Sequence, residues 1–254
     1  MAHDTEALET LARLMTQGRP TVFFGGAGTS TESNIPDFRS KEGLYNTPFR
    51  HREPEYLLSI SCLQREPELF YAYLRAKLHC PWARPSGAHL TLARLEARGM
   101  LKAVITQNID SLHQAAGSRR VLELHGSMAR AACMACDAPY PGEALFEEEG
   151  VPRCRCGGML RPLVTLYGEA LDGGTVAEAL TALADAEVLI VGGTSLVVQP
   201  AASFLSYFRG RTLVLMNREA TALDKKASLI IREPIGQSMA RAYELAFGVP
   251  PADG

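Results

Sequence analysis

Short, continuous apolar runs alternate along this chain with stretches whose apolar residues fall at helical spacing. Leu8, Leu11, Leu14 and Met15 lie on one face of a helix expected over residues 5–15, and Gly18 stops it. The run from Thr21 to Phe24 is a short strand apolar enough to be buried on both faces. Leu69, Phe70, Tyr73, Leu74 and Leu78 predict a second amphipathic helix over residues 66–79, ended by Pro81 and Pro85. A third helix over residues 88–98 turns Leu92 and Leu95 inward and stops at Gly99, and strands follow at 101–106 and 121–124. The later part repeats the alternation, with helices over 176–184, 201–208 and 238–247 and strands over 188–191, 212–216 and 229–231. Apolar strands separated by helices predict an α/β fold on a parallel sheet covered on both faces. Two segments break the pattern. Residues 40–60 are polar with spaced prolines and aromatics, the pattern of an ordered loop, and residues 133–156 are rich in cysteine and glutamate, the pattern of a small inserted module.

Composition narrows the class of function. The 254 residues can bury one large core with a small module beside it, and 46% hydrophobic with 21% charged residues is ordinary for a globular protein. A net charge of −2 leaves no basic excess for a nucleic-acid backbone, so no nucleic-acid partner is expected. No apolar run approaches the roughly 20 residues that span a bilayer, so no membrane partner is expected either. The first six residues carry neither a positive nor an apolar region, which predicts no secretory signal and a cytoplasmic location. In that reducing setting the six cysteines are expected as thiols or metal ligands, not disulfides.

The candidate chemistry sits where apolar runs end. After the first strand come Gly25, Gly26, Ala27, Gly28, Thr29 and Ser30, a turn whose unoccupied amides suit a dinucleotide pyrophosphate. Ile35-Pro36-Asp37-Phe38-Arg39 follows, a stiff, charged and aromatic cluster better suited to gripping a ligand than to packing a core. Gln107, Asn108 and Asp110 lie just past the strand at 101–106, where α/β sheets bind ligands, and can recognise an amide and ribose hydroxyls. His125, between a strand end and Gly126, is a candidate base because an imidazole titrates near working pH. His89 and His113 lie in helical contexts and are read as passive. Gly192-Gly193-Thr194-Ser195 is a second glycine turn, and Asn217 stands where a dinucleotide fold grips a ribose. Cys133 and Cys136, then Cys154 and Cys156 after 17 intervening residues, form two close pairs that fit one tetrahedral Zn²⁺ with no position open to water, hence structural. Cys62 and Cys80 stand alone and read as small buried hydrophobes.

Taken in order, these segments resemble the sirtuin (Sir2) family of NAD-dependent protein-lysine deacylases, in its bacterial type, over nearly the whole chain. The resemblance rests on Gly26 to Ser30, Ile35 to Arg39, Thr106 to Asp110, Leu124-His125-Gly126, the cysteine pairs, Tyr167-Gly168-Glu169, Gly193-Thr194-Ser195 and Asn217. It implies a Rossmann-like doubly wound parallel sheet formed by residues 1–45, 84–130 and 160–254, a helical module at 46–83 and a zinc-binding module at 131–159. It implies NAD as co-substrate and one structural Zn²⁺. Ala27, Thr31, Phe38 and Arg39 would belong to a loop over NAD, and Gln107, Asn108, Ile109 and Asp110, with Ile35 and Asp37 near, to the nicotinamide and inner-ribose pocket. Thr194, Ser195 and Asn217 would hold the adenosine half, Ile235 the adenine, and Gly26 and Gly28 the pyrophosphate, while Gly193, in the second glycine turn, suits phosphate or ribose contact.

The resemblance further assigns His125 as general base and Asn108 as a second catalytic residue. The acyl oxygen would attack the ribose carbon as nicotinamide leaves, giving free lysine and an O-acyl-ADP-ribose. An acetyl-lysine protein would bind as an extended strand on Thr165, Leu166, Tyr167, Gly168 and Glu169, to a monomeric enzyme, with Phe38, Leu166 and Tyr167 lining the acyl-lysine tunnel. The chain departs from the family at Gly25, Asn34 and Ser111, the last two replacing frequent glycines. Members that read acidic acyl groups carry a Tyr and an Arg three apart on the helix at 66–79. Here Tyr71 is followed by Leu74, with Arg75 one place off, so neutral acyl groups are expected. Two other functions stay open: an ADP-ribosyltransferase or NAD glycohydrolase on the same scaffold, and a non-enzymatic NAD-sensing module.

Overall fold

The computed structural model describes residues 2–37, 43 and 49–248. The apolar runs become strands. β1 (Thr21–Gly25) is buried along its whole length, with β2 (Leu101–Thr106) and β7 (Val188–Gly192) parallel on either side. β3 (Val121–Glu123) adds beside β2, while β8 (Thr212–Met216) and β9 (Leu229–Ile231) extend the other edge, giving the parallel order β3-β2-β1-β7-β8-β9. The order reverses at β1, which opens a crevice at the carboxyl ends of β1 and β7 where doubly wound sheets take ligands.

Helices α1 (Ala2–Thr16), α5 (Gly87–Ala97) and α8 (Ile235–Phe247) cover one face of the sheet, and α7 (Gly173–Asp185) with a 3-10 segment (Ala201–Tyr207) covers the other. Strand alternation divides β1 between these layers. Phe23 packs into the first core and Phe24 into the second, both fully buried, so truncating either ring to Ala would cost about 3–5 kcal/mol. The segment over 201–208 is thus a 3-10 turn sequence where an α-helix is expected.

The irregular stretches hold more order than their pattern predicts. α2 (Pro54–Leu57), α3 (Ile60–Arg65) and α4 (Pro67–Lys77) form the helical region, so the loop expected over 40–60 gives way to helix from Pro54. A second sheet, β5-β4-β6, is antiparallel: β4 (Gly126–Cys133) lies between β5 (Pro139–Pro141) and β6 (Leu160–Val164). This sheet runs from Gly126 to Val164, wider than the cysteine-rich stretch. The sequence hides it because β4 reads Gly-Ser-Met-Ala-Arg-Ala-Ala-Cys, poor in branched and aromatic residues. Helical region and small sheet share one core, in which Leu57, Phe70, Tyr71 and Leu74 pack with Ala131, Leu145, Leu160 and Leu166.

Candidate active site

The turn after β1 packs backbone on backbone against the turn after β7. Gly28 N–H donates to Gly193 O at 2.8 Å, and Gly26 N–H to Gly192 O at 3.2 Å. A Cβ on Gly28 would stand 2.7 Å from Gly193 Cα, and Gly193 adopts φ +61° with its own Cβ position 2.3 Å from Thr29 N. Both glycines are therefore required by close approach of the two turns. Thr194, on the second turn, accepts from Gln107 Nε2 at 3.2 Å.

Beyond β2 the polar cluster assembles around a side chain that the sequence places in the glycine turn without giving its hydroxyl a role. Ser30, 1% exposed, donates its hydroxyl to Asp110 Oδ2 at 2.6 Å and accepts from Asn108 Nδ2 at 3.0 Å. Asp110 Oδ1 also accepts from Leu112 N–H at 2.9 Å and so caps the short α6 (Leu112–Ala115). One carboxylate serves both the cap and the cluster. Its N-cap neighbour Ser111 sits at φ +60°, the left-handed region that suits glycine, and its hydroxyl pairs with Ser127 Oγ at 2.6 Å. Asn34 is also left-handed, at φ +60°. Ser30 could have been found as the last residue of the glycine turn, since a buried hydroxyl there needs partners.

His125 enters the crevice from the link between β3 and β4. Its Nδ1 lies 2.9 Å from Gln107 O. A carbonyl only accepts, so Nδ1 carries the proton and Nε2 keeps the lone pair. Burial lowers the His125 pKa below its usual 6.5, opposed by that carbonyl, which favours the protonated ring. Thr165 N–H donates to His125 O at 2.9 Å, tying the histidine to the segment after β6. There Tyr167 bonds through its backbone to Leu58 O at 3.0 Å and from Ile60 N–H at 3.1 Å, and Gly168 turns at φ +93°. Glu169 faces inward: it takes two bonds from Arg161, at 2.6 and 2.8 Å, and one from Leu166 N–H at 2.9 Å. Arg161 holds its carboxyl below the usual range.

A cavity of about 810 Å³ joins these elements. It is lined by Gly26, Ala27, Gly28, Thr31, Ile35 and Asp37 of the first turn, and by Gln107, Asn108, Ile109, Asp110 and His125. Thr165, Leu166, Tyr167, Gly168 and Glu169 also line it, as do Gly193, Thr194, Ser195, Asn217 and Ile235. Phe38 and Arg39 lie outside the described residues. Leu74 and Leu78 of the helical region also line the cavity, together with Phe146. Tyr71 instead donates its hydroxyl to Leu160 O, and Arg75 donates to Leu145 O at 3.3 Å and Glu148 O at 2.7 Å, so neither is on the cavity wall.

His89 and His113 are buried, 4.6 Å apart by ring centroid. Burial lowers their pKa values to about 4 and about 3, so both are neutral at working pH and take no charge into the core. Cys62 is fully buried among Leu57, Leu63 and Phe70, while Cys80 is half-buried on the cavity wall.

The four remaining cysteines converge. Their sulfurs lie within 4.8 Å of one another, with edges of 3.6 Å (Cys133–Cys156), 3.7 Å (Cys136–Cys154) and 3.5 Å (Cys136–Cys156). A tetrahedron with Zn–S near 2.3 Å has S···S edges of about 3.8 Å, so the donor set fits zinc. Disulfide sulfurs would stand at about 2.0 Å, far closer than these. Ala135 N–H and the Tyr140 hydroxyl each donate to a sulfur, Cys133 and Cys154 respectively, at 3.3 Å. Gly157 at φ +86° makes the tight Cys-x-Cys turn, and a side chain on Gly158 would strike Cys133 Sγ at 2.7 Å.

The profile of the Sir2 family matches residues 26–200, from the first glycine turn past the second. The chain belongs to the Sir2 family. It is 52% identical over 234 residues to the NAD-dependent protein deacetylase of Cutibacterium acnes, covering 91% of this chain and 95% of that one. The Clostridium perfringens NAD-dependent protein deacetylase is 46% identical over 242 residues, covering 94% and 99%. Among solved structures, a Sir2 mutant with a deacetylated p53 peptide and 3′-O-acetyl ADP ribose superposes with a TM-score of 0.86 at 35% identity, covering 96% of this chain and 99% of that one. A Sir2 complex with p53 peptide and NAD⁺ gives 0.79 at 36% identity, covering 91% and 95%.

Proposed function

We propose that this Sir2 protein is an NAD-dependent protein-lysine deacetylase that transfers the acetyl group to ADP-ribose and releases nicotinamide. The observation that carries it is His125: an imidazole with its tautomer fixed by Gln107 O, on the wall that also holds the Ser30–Asn108–Asp110 cluster and the 165–169 segment. An ADP-ribosyltransferase or NAD glycohydrolase needs the cofactor end of the cavity but neither this base nor that segment.

NAD supplies a ribosyl carbon, nicotinamide as leaving group and the hydroxyls that end up acylated. The protein's part follows from its geometry. Gly26, Ala27, Gly28 and Gly193 would receive the pyrophosphate on backbone amides, and Thr194, Ser195 and Asn217 the adenosine ribose, with Ile235 against adenine. Asn108, Asp110, Gln107 and Ile109, with Thr31 and Asp37, would orient nicotinamide and its ribose. Phe38 and Arg39 complete this set in the sequence resemblance. His125 Nε2, neutral at working pH, would take the proton of a ribose hydroxyl, while close, dry positioning makes up for a weak amide-oxygen nucleophile. The acetyl-lysine peptide would lie as a strand on Thr165 to Glu169, held through backbone with little sequence preference.

Leu74 stands on the cavity wall where an acid-reading member would place an arginine, and Arg75 is turned to the carbonyls of Leu145 and Glu148. Neutral acyl groups are therefore favoured. With acetyl- and succinyl-lysine versions of one peptide, succinyl turnover should be lower by at least about tenfold, since its carboxylate would be buried without a partner; equal rates would remove this selectivity.

Cys133, Cys136, Cys154 and Cys156 would hold one structural Zn²⁺. The division into a sheet domain, a helical module and a zinc-binding module, a monomeric state and a cytoplasmic location belong to the same reading. No helix among the described residues is long and apolar enough to cross a membrane. The deciding experiment incubates wild type and His125→Ala with NAD and an acetyl-lysine peptide. Deacetylation should fall by about 10²–10⁴ in the variant with NAD binding kept. Nicotinamide release by wild type without peptide deacetylation would instead favour the glycohydrolase reading.

A further inference from the structure

Helix α8 begins at Ile235 on the cavity wall, and its N-cap is Pro234, which offers no side-chain acceptor to the first amides. Such amides need a partner. They find it 204 positions away: Glu32 Oε1 accepts from Gly236 N–H at 2.6 Å, and Oε2 accepts from Gln237 N–H at 3.2 Å. Gly236 leaves the room, since a Cβ there would stand 2.7 Å from Glu32 Oε2. Glu32 itself belongs to a one-turn 3-10 segment (Thr31–Ser33) that leaves the first glycine turn directly, and the Thr31 hydroxyl donates back to Gly28 O at 3.0 Å. A carboxylate on two amides at the positive end of a 13-residue helix is a charge-assisted contact. It ties the segment leaving the first glycine turn to the start of α8, both on the cavity wall.

We propose that Glu32 is a positioning residue for NAD. It fixes the separation between the glycine turn, which receives the pyrophosphate, and the start of α8, which meets adenine. By occupying the α8 amides it also keeps that helix end from competing with the glycine turn for the phosphates. The proposal rests on the NAD site described above. It needs no contact between Glu32 and a reacting atom.

The test measures NAD and ADP-ribose binding by calorimetry without peptide, and steady-state kinetics, for wild type, Glu32→Ala and Glu32→Gln. The Ala variant should bind both ligands about tenfold more weakly and show a matching rise in KM for NAD, with kcat and KM for peptide within about twofold. Glu32→Gln, whose amide oxygen still accepts one bond, should recover part of the affinity. Wild-type affinity for both ligands in Glu32→Ala, even with a lower Tm, would reduce Glu32 to a stability cap and overturn the proposal, as would equal losses toward NAD and peptide. If Glu32→Ala does not fold, Glu32→Gln decides, and unchanged affinity there overturns it. Wild-type protein that bound neither ligand would sink the NAD reading itself, a different outcome from wild type and variant binding alike.

Discussion

His125 shows how a hydrogen bond can set the tautomer of a side chain while burial sets its charge. Donation from Nδ1 to Gln107 O leaves Nε2 as the acceptor, and burial pulls the pKa below 6.5. A base works only unprotonated, so activity is kept as pH falls to 6.5 and is lost on passing through the depressed value. The acid limb of kcat/KM for the peptide should accordingly lie below 6.5. A limb at or above that pH would contradict the assignment. Gln107 matters through its backbone as much as its side chain, whose Nε2 reaches Thr194. A sequence motif names the residue but not which of its groups is used.

At the scale of elements, the segment after β6 is held from two sides. Tyr167 pairs with the chain between α2 and α3, and Glu169 closes back on Arg161 within β6 and on Leu166 N–H. Sequence reasoning placed Glu169 with the substrate contacts; it lines the cavity while its part-buried carboxylate is paired with Arg161 and Leu166 N–H. Its expected effect is to hold Leu166 to Gly168 in the shape a peptide strand meets. Arg161→Met should raise the peptide KM by about tenfold, leave the KM for NAD unchanged, and be partly rescued by Arg161→Lys. If peptide KM stays at the wild-type value, the pair has no part in docking.

For the whole molecule, the decisive fact is that the cysteine-rich sheet and the helical region share one hydrophobic core, and that both contribute to the cavity. Binding of zinc by the four sulfurs is therefore coupled to the wall carrying Leu74, Leu166 and Tyr167, well beyond the small sheet itself. Stripping the metal with a strong chelator should lower Tm by roughly 10 °C and abolish deacetylation, with recovery on adding Zn²⁺. Full activity and an unchanged Tm at verified zero zinc would separate the module from the site.

The sequence by itself determined the main sheet, because buried parallel strands must be continuously apolar and the helices between them must show one apolar face. It also pointed to the strand ends, where glycine turns and amide side chains cluster past apolar runs, and to the four cysteines, which the fold brings together. Tertiary structure decided what local pattern cannot carry. β4 is built from small and polar residues, and its strand state comes from pairing with β5 and β6. The Ser30–Asp110 bond spans 80 positions and the Glu32–Gly236 bond 204, so no window of sequence contains both partners. Asp110 could be read as a helix cap or as a site residue, and only the fold shows one carboxylate oxygen on each task. Periodicity is a local consequence of burial, whereas hydrogen-bond partners are chosen by which chain ends the fold brings together.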